Sequence, residues 1–493
     1  MSDDAEPGLS RRQLLAAGTT GLIATAAVPP VAGAGRRRAG AADGTPEQIH
    51  LTWGDDPTRS VVVSWASPGR ALAPRVRIGQ RVIPAVERGY ADPPGGEAGW
   101  TYHALVDGLR PGATYGYAVT ADNDRNAADP FSATFRTAQE GRAAFRFTSF
   151  GDLTAPSAAG AGSAGAGSAS QSAYAVGAVE TFQPLFHLLN GDLADADFAT
   201  NLQASAANRP WLPVPGEHGA ESAERERALG TYLARYSLPG NGVPGFEGRW
   251  YDFRVGTAAF LCLSGGDVRR GYSGGAQTRW LEAALAAARR DASIDWVVIQ
   301  LHQSAWSPST DGDGDGADLG ISQQWLPLFD RYEVDLVLCG HSRGYERSFP
   351  VRGVDSADTL RPHPVTTVDS GVFDTSQGTV HLVLGRAGVI GTDGAGGAGA
   401  AESAAWSARR DTAAGYGVAV FDVNPGAEAG AQTSITVRYY HAVDAGQGDG
   451  PGAGPGDGGP SDDYALFDTF TLVRPRSDGR RWHPREPAAS NLA

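Results

Sequence analysis

The stretch Val334-Asp-Leu-Val-Leu-Cys-Gly-His341 is a short apolar run that breaks on glycine and delivers a histidine. Three other stretches share this pattern: Ala144-Phe-Arg-Phe-Thr-Ser-Phe-Gly-Asp152, Leu185-Phe-His-Leu-Leu-Asn-Gly-Asp192 and Ile294-Asp-Trp-Val-Val-Ile-Gln-Leu-His302. Apolar runs this short, separated by segments of helical periodicity, read as buried strands of an α/β core. Ligands of such cores sit outside the carboxyl ends of the strands. Two Asp and two His carried to one rim therefore make a mixed oxygen and nitrogen site, suited to Zn, Mn or Fe.

A chain of 493 residues is long enough for two domains plus flexible segments. All 41 basic residues are arginine, and the net charge is −14. With no basic stripe to displace counterions, nucleic acid is excluded as a partner. An anionic substrate would need metals or a few placed arginines to supply local positive charge. The segment Ser10-Arg11-Arg12-Gln13-Leu14-Leu15 opens a weakly apolar stretch to about Val31, followed by Ala32-Gly33-Ala34. It reads as a twin-arginine export signal over residues 1–34, which places the mature protein in the periplasm, at the cell wall or outside the cell. No other segment is long and apolar enough to span a bilayer, so no stable membrane insertion is expected once the signal is removed. Cys262 and Cys339 lie in apolar runs and read as buried free thiols, Cys339 pointing inward beneath the rim.

After a basic leader, residues 46–137 are all-β in pattern. Ile49-His-Leu-Thr-Trp and Ser60-Val-Val-Val-Ser-Trp read as strands, and Leu109-Arg-Pro-Gly-Ala-Thr-Tyr-Gly-Tyr has the tyrosine spacing of a sandwich corner. This region resembles a fibronectin type III domain, which by itself carries no chemistry. The α/β domain is expected over 143–475, with low-complexity insertions at 157–170, 391–401 and 446–459. Helices are expected at Tyr174–Gln183, Arg225–Tyr236 and Ala276–Arg290, the last with Trp280, Leu281, Ala284, Leu285 and Ala288 on one face. Asp311-Gly-Asp-Gly-Asp-Gly316 begins like a calcium loop, but Ser322 stands at the twelfth position, so it reads as an acidic turn.

The ordered motifs Gly151-Asp152, Gly191-Asp192-Leu-Ala-Asp195-Ala-Asp197, Gly216-Glu217-His218, Gln300-Leu-His302 and Gly340-His341-Ser-Arg343-Gly-Tyr-Glu-Arg347 resemble those of purple acid phosphatases. These are binuclear metallophosphoesterases that also carry an N-terminal fibronectin-like domain. The resemblance implies a four-layer α/β/β/α metallophosphoesterase domain behind the sandwich. It also implies hydrolysis of small phosphate monoesters with one or two Fe, Zn or Mn ions per chain. Matched position by position, Asp152, Asp192, Asp195, Glu217, His302 and His341 stand where metal ligands are expected, with Asp192 bridging. His218 stands where a residue contacts phosphate or protonates the leaving group, and Tyr345-Glu346-Arg347 would bracket the site from below.

Three positions depart from the family pattern. Asp195 replaces a tyrosine, Glu217 an asparagine and Arg343 a histidine. Carboxylates still ligate hard or borderline cations. Arginine cannot, because its guanidinium stays protonated and only donates. One ion would then keep Asp192, Glu217, His302 and His341, while the second would have Asp152, Asp192 and Asp195 beside Arg343. Arg343 is expected to pair with those carboxylates or to orient a phosphate oxygen. Two further readings stand beside this one: a catalytically impaired secreted relative that binds a phosphorylated or cell-wall ligand, and a sandwich domain that serves surface attachment. Because the phenolate ligand is replaced by Asp195, the iron-loaded protein should show no strong visible charge-transfer band. An intense band in the absorption spectrum would show that residue 195 is not the tyrosine counterpart.

Overall fold

The computed structural model describes residues 43–91, 98–152, 167–191, 202–216, 222–306, 319–342, 344–354, 362–385, 404–411, 417–442, 464–480 and 482–485. The expected signal, Asp311–Gly316 and the insertions at 391–401 and 446–459 lie outside these residues.

The N-terminal part is a two-sheet sandwich. Glu47–Trp53, Val61–Ser67, Ala98–Val106 and Val86–Ala91 form one sheet, and Arg81–Pro84, Arg75–Ile78, Thr114–Thr120 and Ser132–Arg136 form the other. Ile49, Leu51, Val63, Trp65, Val76, Tyr102, Tyr117 and Phe135 fill the space between them. The backbone N–H of Arg110 donates to the Tyr115 hydroxyl at 2.7 Å, the corner hydrogen bond anticipated from the tyrosine spacing.

The second part stacks two seven-stranded mixed sheets. The first runs Trp211–Pro213, Phe186–Leu189, Phe145–Phe150, Gly417–Asn424, Gln432–Ala442, Tyr464–Pro475 and Val372–Asp374. The second runs Tyr251–Val255, Ala258–Cys262, Trp296–Gln300, Leu336–Cys339, Val380–Leu384, Tyr345–Ser348 and Ser407–Asp411. Side chains alternate across each strand. In Ala258–Cys262, Ala258, Phe260 and Cys262 face the other sheet, while Ala259 and Leu261 face helices. Trp296 and Val298 likewise look inward, and Val297 and Ile299 outward. Both faces are buried, which is why these strands read as unbroken apolar runs. Helix Ala276–Arg290 has the expected bounds and covers the second sheet with Leu281, Leu285 and Ala288. Helix Gly167–Phe182 covers the first with Val176, Val179 and Phe182. It begins before the expected Tyr174, so Gly167–Ser170 are helical rather than part of a loop. The four layers are those anticipated.

Period-two alternation also corrects the reading of Cys339. Leu336 and Leu338 take the inter-sheet positions, so Val337 and Cys339 face the helices. Both cysteines are free and buried.

The sandwich is joined to the α/β part through backbone carbonyls. Tyr117 Oη donates to Ala207 O at 2.7 Å, Thr101 Oγ1 to Ala234 O at 2.9 Å, and His103 Nε2 lies 2.9 Å from the same Ala234 O. Since that oxygen can only accept, Nε2 of His103 carries the hydrogen and Nδ1 accepts from Ser64 Oγ at 2.8 Å. Burial, with Arg88 nearby, lowers the His103 imidazole from 6.5 to about 3. Unfolding exposes a group that takes a proton below pH 6.5, while the folded one stays neutral down to about 3. The stability it contributes is complete above pH 6.5 and is lost as pH falls through that window. The slope for one such group is about 1.4 kcal/mol per pH unit. His103→Gln should therefore flatten the fall of Tm with acidification, measured by calorimetry across that range; an unchanged slope would contradict this account.

Candidate metal centre

The expected ligands emerge at the carboxyl ends of strands from both sheets. Phe145–Phe150 leads through Gly151 to Asp152, Trp296–Gln300 through Leu301 to His302, and Leu336–Cys339 through Gly340 to His341. Two of these three residues hold left-handed backbone, Asp152 at φ 57° and His341 at φ 66°. For a histidine such a conformation costs on the order of 1 kcal/mol or more and marks a functional site. Here it turns each chain back over its strand end.

The three residues lie next to one another at the strand ends. The backbone N–H of His341 donates to Asp152 Oδ1 at 3.2 Å, and the His302 and His341 rings lie 5.2 Å apart at 77°. His302 is fully buried, with Nδ1 2.9 Å from Asn190 O and 3.6 Å from Asp152 Oδ1. Both neighbours are acceptors, so Nδ1 carries the hydrogen and Nε2 the lone pair. A metal-binding histidine is oriented in this way. The space is kept by glycine. A Cβ on Gly340 would stand 2.5 Å from Asn190 O, 3.1 Å from Asp152 Oδ1 and 3.2 Å from His302 Nδ1. One on Gly385 would stand 2.7 Å from Asp152 Oδ2 and collide with Ser342 O.

Asp192, Asp195, Glu217, His218 and Arg343 lie outside the described residues. Among the described residues, no group of three or more His, Cys, Asp or Glu closes around one point. Cys339 is not a ligand candidate: its thiol faces the helices, and burial pushes its pKa well up, so it stays protonated.

Below the rim, Tyr345 Oη and Arg347 Nε both donate to Asp468 Oδ2 at 2.7 Å, and Arg347 Nη2 donates to Asp369 Oδ2 at 2.8 Å. The Arg347 guanidinium lies over the rings of Phe470 and Phe373 at 4.7 and 5.3 Å. Burial and the Asp468 charge push the Tyr345 hydroxyl well up, so it donates and does not ionise. The bracket expected of Tyr345 and Arg347 is thus present, and it ties the two sheets together.

Residues 46–138 match the family model of the purple acid phosphatase N-terminal domain, and residues 145–344 match that of calcineurin-like phosphoesterases. The chain belongs to the purple acid phosphatase family. By family it is a metallophosphoesterase, a hydrolase. An uncharacterized protein of Mycobacterium tuberculosis is 36 % identical to it over 542 residues, covering 96 % of this chain and 98 % of that one. Acid phosphatase type 7 of Homo sapiens is 26 % identical over 380 residues, covering 71 % and 79 %. A purple acid phosphatase isolated from yellow lupin (Lupinus luteus) seeds shares the fold at a TM-score of 0.64 and 18 % identity, over 91 % of this chain and 79 % of that one.

Purple acid phosphatases imply a binuclear metal centre, and the donor types of Asp152, His302 and His341 suit one. Asp152 offers oxygen, His302 and His341 offer nitrogen, and the tautomer of His302 is set by a backbone carbonyl. Because a misplacement near 1 Å costs about 100-fold in rate, Gly340→Ala should lower kcat/KM by roughly that factor. Its metal content should fall while far-UV circular dichroism stays unchanged. Full activity in Gly340→Ala would show that the Asp152–His302 gap does not matter.

Proposed function

We propose that this protein is an exported metal-dependent phosphatase that hydrolyses phosphate monoesters at an asymmetric metal centre. The observation that carries the reading is the adjacency of Asp152, His302 and His341 at strand ends contributed by two different sheets. The export signal at Arg11-Arg12 and the three departures from the family pattern supply the rest.

On this reading Asp192, Glu217, His302 and His341 would hold one ion. Asp152, Asp192 and Asp195 would be the ligands of the second position, beside Arg343. When bound, the metal supplies Lewis-acid activation of the phosphoryl group and lowers the pKa of a water for in-line attack. The remaining work falls to the chain. The His341 N–H holds Asp152 Oδ1, and the Asn190 carbonyl holds His302 in one tautomer. Arg343, whose guanidinium is a planar fork of donors, would bind phosphate oxygens bidentately and offset negative charge that a second ion would otherwise neutralise. His218 gives its proton to the departing alcohol or phenol oxygen. Arg347 takes no part in phosphate binding, because Asp468 and Asp369 already pair with it.

The reading is tested by turnover of an aryl phosphate by the purified protein loaded with Zn, Mn or Fe, together with metal stoichiometry. One equivalent per chain is expected in the wild type, and two in Arg343→His, with a gain in rate. Asp192→Ala should lose more than the roughly 100-fold that removal of an outer-shell partner costs. Two tightly held ions in the wild type would overturn the asymmetric centre. A lack of turnover with every metal would leave the alternative that Asp195, Glu217 and Arg343 favour, a secreted relative that binds a phosphorylated ligand without cleaving it.

A further inference from the structure

Two buried side-chain amides sit where the apolar pattern of the ligand-bearing strands breaks. Asn190 directly precedes Gly191-Asp192, and Gln300 stands two residues before His302; both are fully buried. Gln300 Nε2 donates to Asn190 Oδ1 at 3.1 Å and to Leu212 O at 3.1 Å, while Gln300 Oε1 accepts from the Cys262 thiol at 3.2 Å. Asn190 Oδ1 also accepts from Ser149 Oγ at 3.2 Å, and Asn190 Nδ2 donates to Cys339 O at 3.3 Å. The Leu212 and Cys339 carbonyls can only accept, so they fix which way both amides face. The Asn190 backbone joins in as well: its N–H donates to Phe150 O at 2.8 Å, and its carbonyl receives His302 Nδ1 at 2.9 Å.

Asn190 follows a strand of the first sheet, and Gln300 ends a strand of the second. Their partners Ser149, Leu212 and Cys339 lie on the strands that run on to Asp152, Glu217 and His341. Every strand end that carries an expected ligand therefore meets at one amide–amide hydrogen bond across the sheets. A hydrophobic interior gains nothing from such a pair. Buried amides break even only when satisfied, and a shape-matched apolar pair is close to neutral in stability.

We propose that Asn190 and Gln300 are positioning residues whose mutual hydrogen bond sets the separation of the aspartate-bearing and histidine-bearing sheets, and thereby the affinity of the site for metal. The inference rests on the reading that these strand ends hold a metal ion. Neither residue touches the substrate. Each acts through the ligand that follows it, and Asn190 additionally through the tautomer of His302.

The test measures Zn or Mn affinity by chelator competition alongside the Tm of the metal-free protein. Asn190→Leu/Gln300→Met also removes the amide partners of the Leu212 and Cys339 carbonyls, so its metal-free Tm should fall by several degrees, and it should bind metal about 10- to 100-fold more weakly, the range for lost outer-shell partners. The reciprocal exchange Asn190→Gln/Gln300→Asn keeps an amide pair with the same number of methylenes and should recover most of the affinity. Wild-type affinity in the apolar double variant would overturn the proposal, since packing alone would then suffice. Should that variant not fold, Ser149→Ala decides: several-fold weaker metal binding at unchanged metal-free Tm supports the proposal, and unchanged affinity overturns it. Failure of the metal-site reading itself looks different, because the wild-type protein would then take up no metal at all.

Discussion

A column of aromatic rings between the two large sheets governs where everything else falls. Phe421, Phe147 and Phe186 stand directly opposite one another on three adjacent strands, and their rings stack at 4.4 and 5.4 Å with planes within 5°. Phe260 of the second sheet closes on Phe147 edge-on at 5.2 Å. Such pairs add about 0.5–1.5 kcal/mol each beyond the area they bury. Their larger effect is on register. A slip of one residue would turn every ring of a strand out of the inter-sheet space. With Phe147 opposite Phe186, the two first-sheet strands end level, so Gly151-Asp152 and Asn190-Gly191 leave them side by side.

The sandwich of sheets is polar at both ends, and the two ends are built differently. At the entry to strand Leu336–Cys339, Asp335 is fully buried between Arg289 and Arg474. Burial pushes the Asp335 carboxyl up, yet the two guanidiniums outweigh it and hold the carboxyl below its usual range. Breaking such a set from one side costs about 3–5 kcal/mol, because an unpaired charge is left inside. The far end of the same strand carries His341 and is held by neutral amides. Full charges anchor the closed end of the strand. At the open end, uncharged dipoles leave the field of the site to its ligands and to any bound cation.

Much of the fold could be read from local pattern. Runs of β-branched and aromatic residues gave the strands, a 3.6-residue stripe gave helix Ala276–Arg290, and the spacing of Tyr115 gave the sandwich corner. The first covering helix was placed late, because Gly167–Ser170 carry no apolar stripe and look like linker. For Cys339 the short distance along the chain from His341 suggests a place under the rim, whereas alternation along the strand sends it to the helices. Asn190 and Gln300 carry no signal in the sequence beyond preceding the ligand motifs. Each is a single polar residue at a strand end, a position where loops commonly begin, and nothing nearby in the chain shows what it meets.

Residue order alone therefore supplied the expected ligands and showed which positions depart from the family pattern: Asp195, Glu217 and Arg343 are legible without coordinates. Donor type is a property of the residue, and a motif is contiguous in the chain. Folding settled what holds those donors in place. Gln300 reaches Asn190 across 110 residues of sequence, and His302 reaches the Asn190 carbonyl across 112. Hydrogen bonds act over about 3 Å in space and leave no period or spacing behind in the chain.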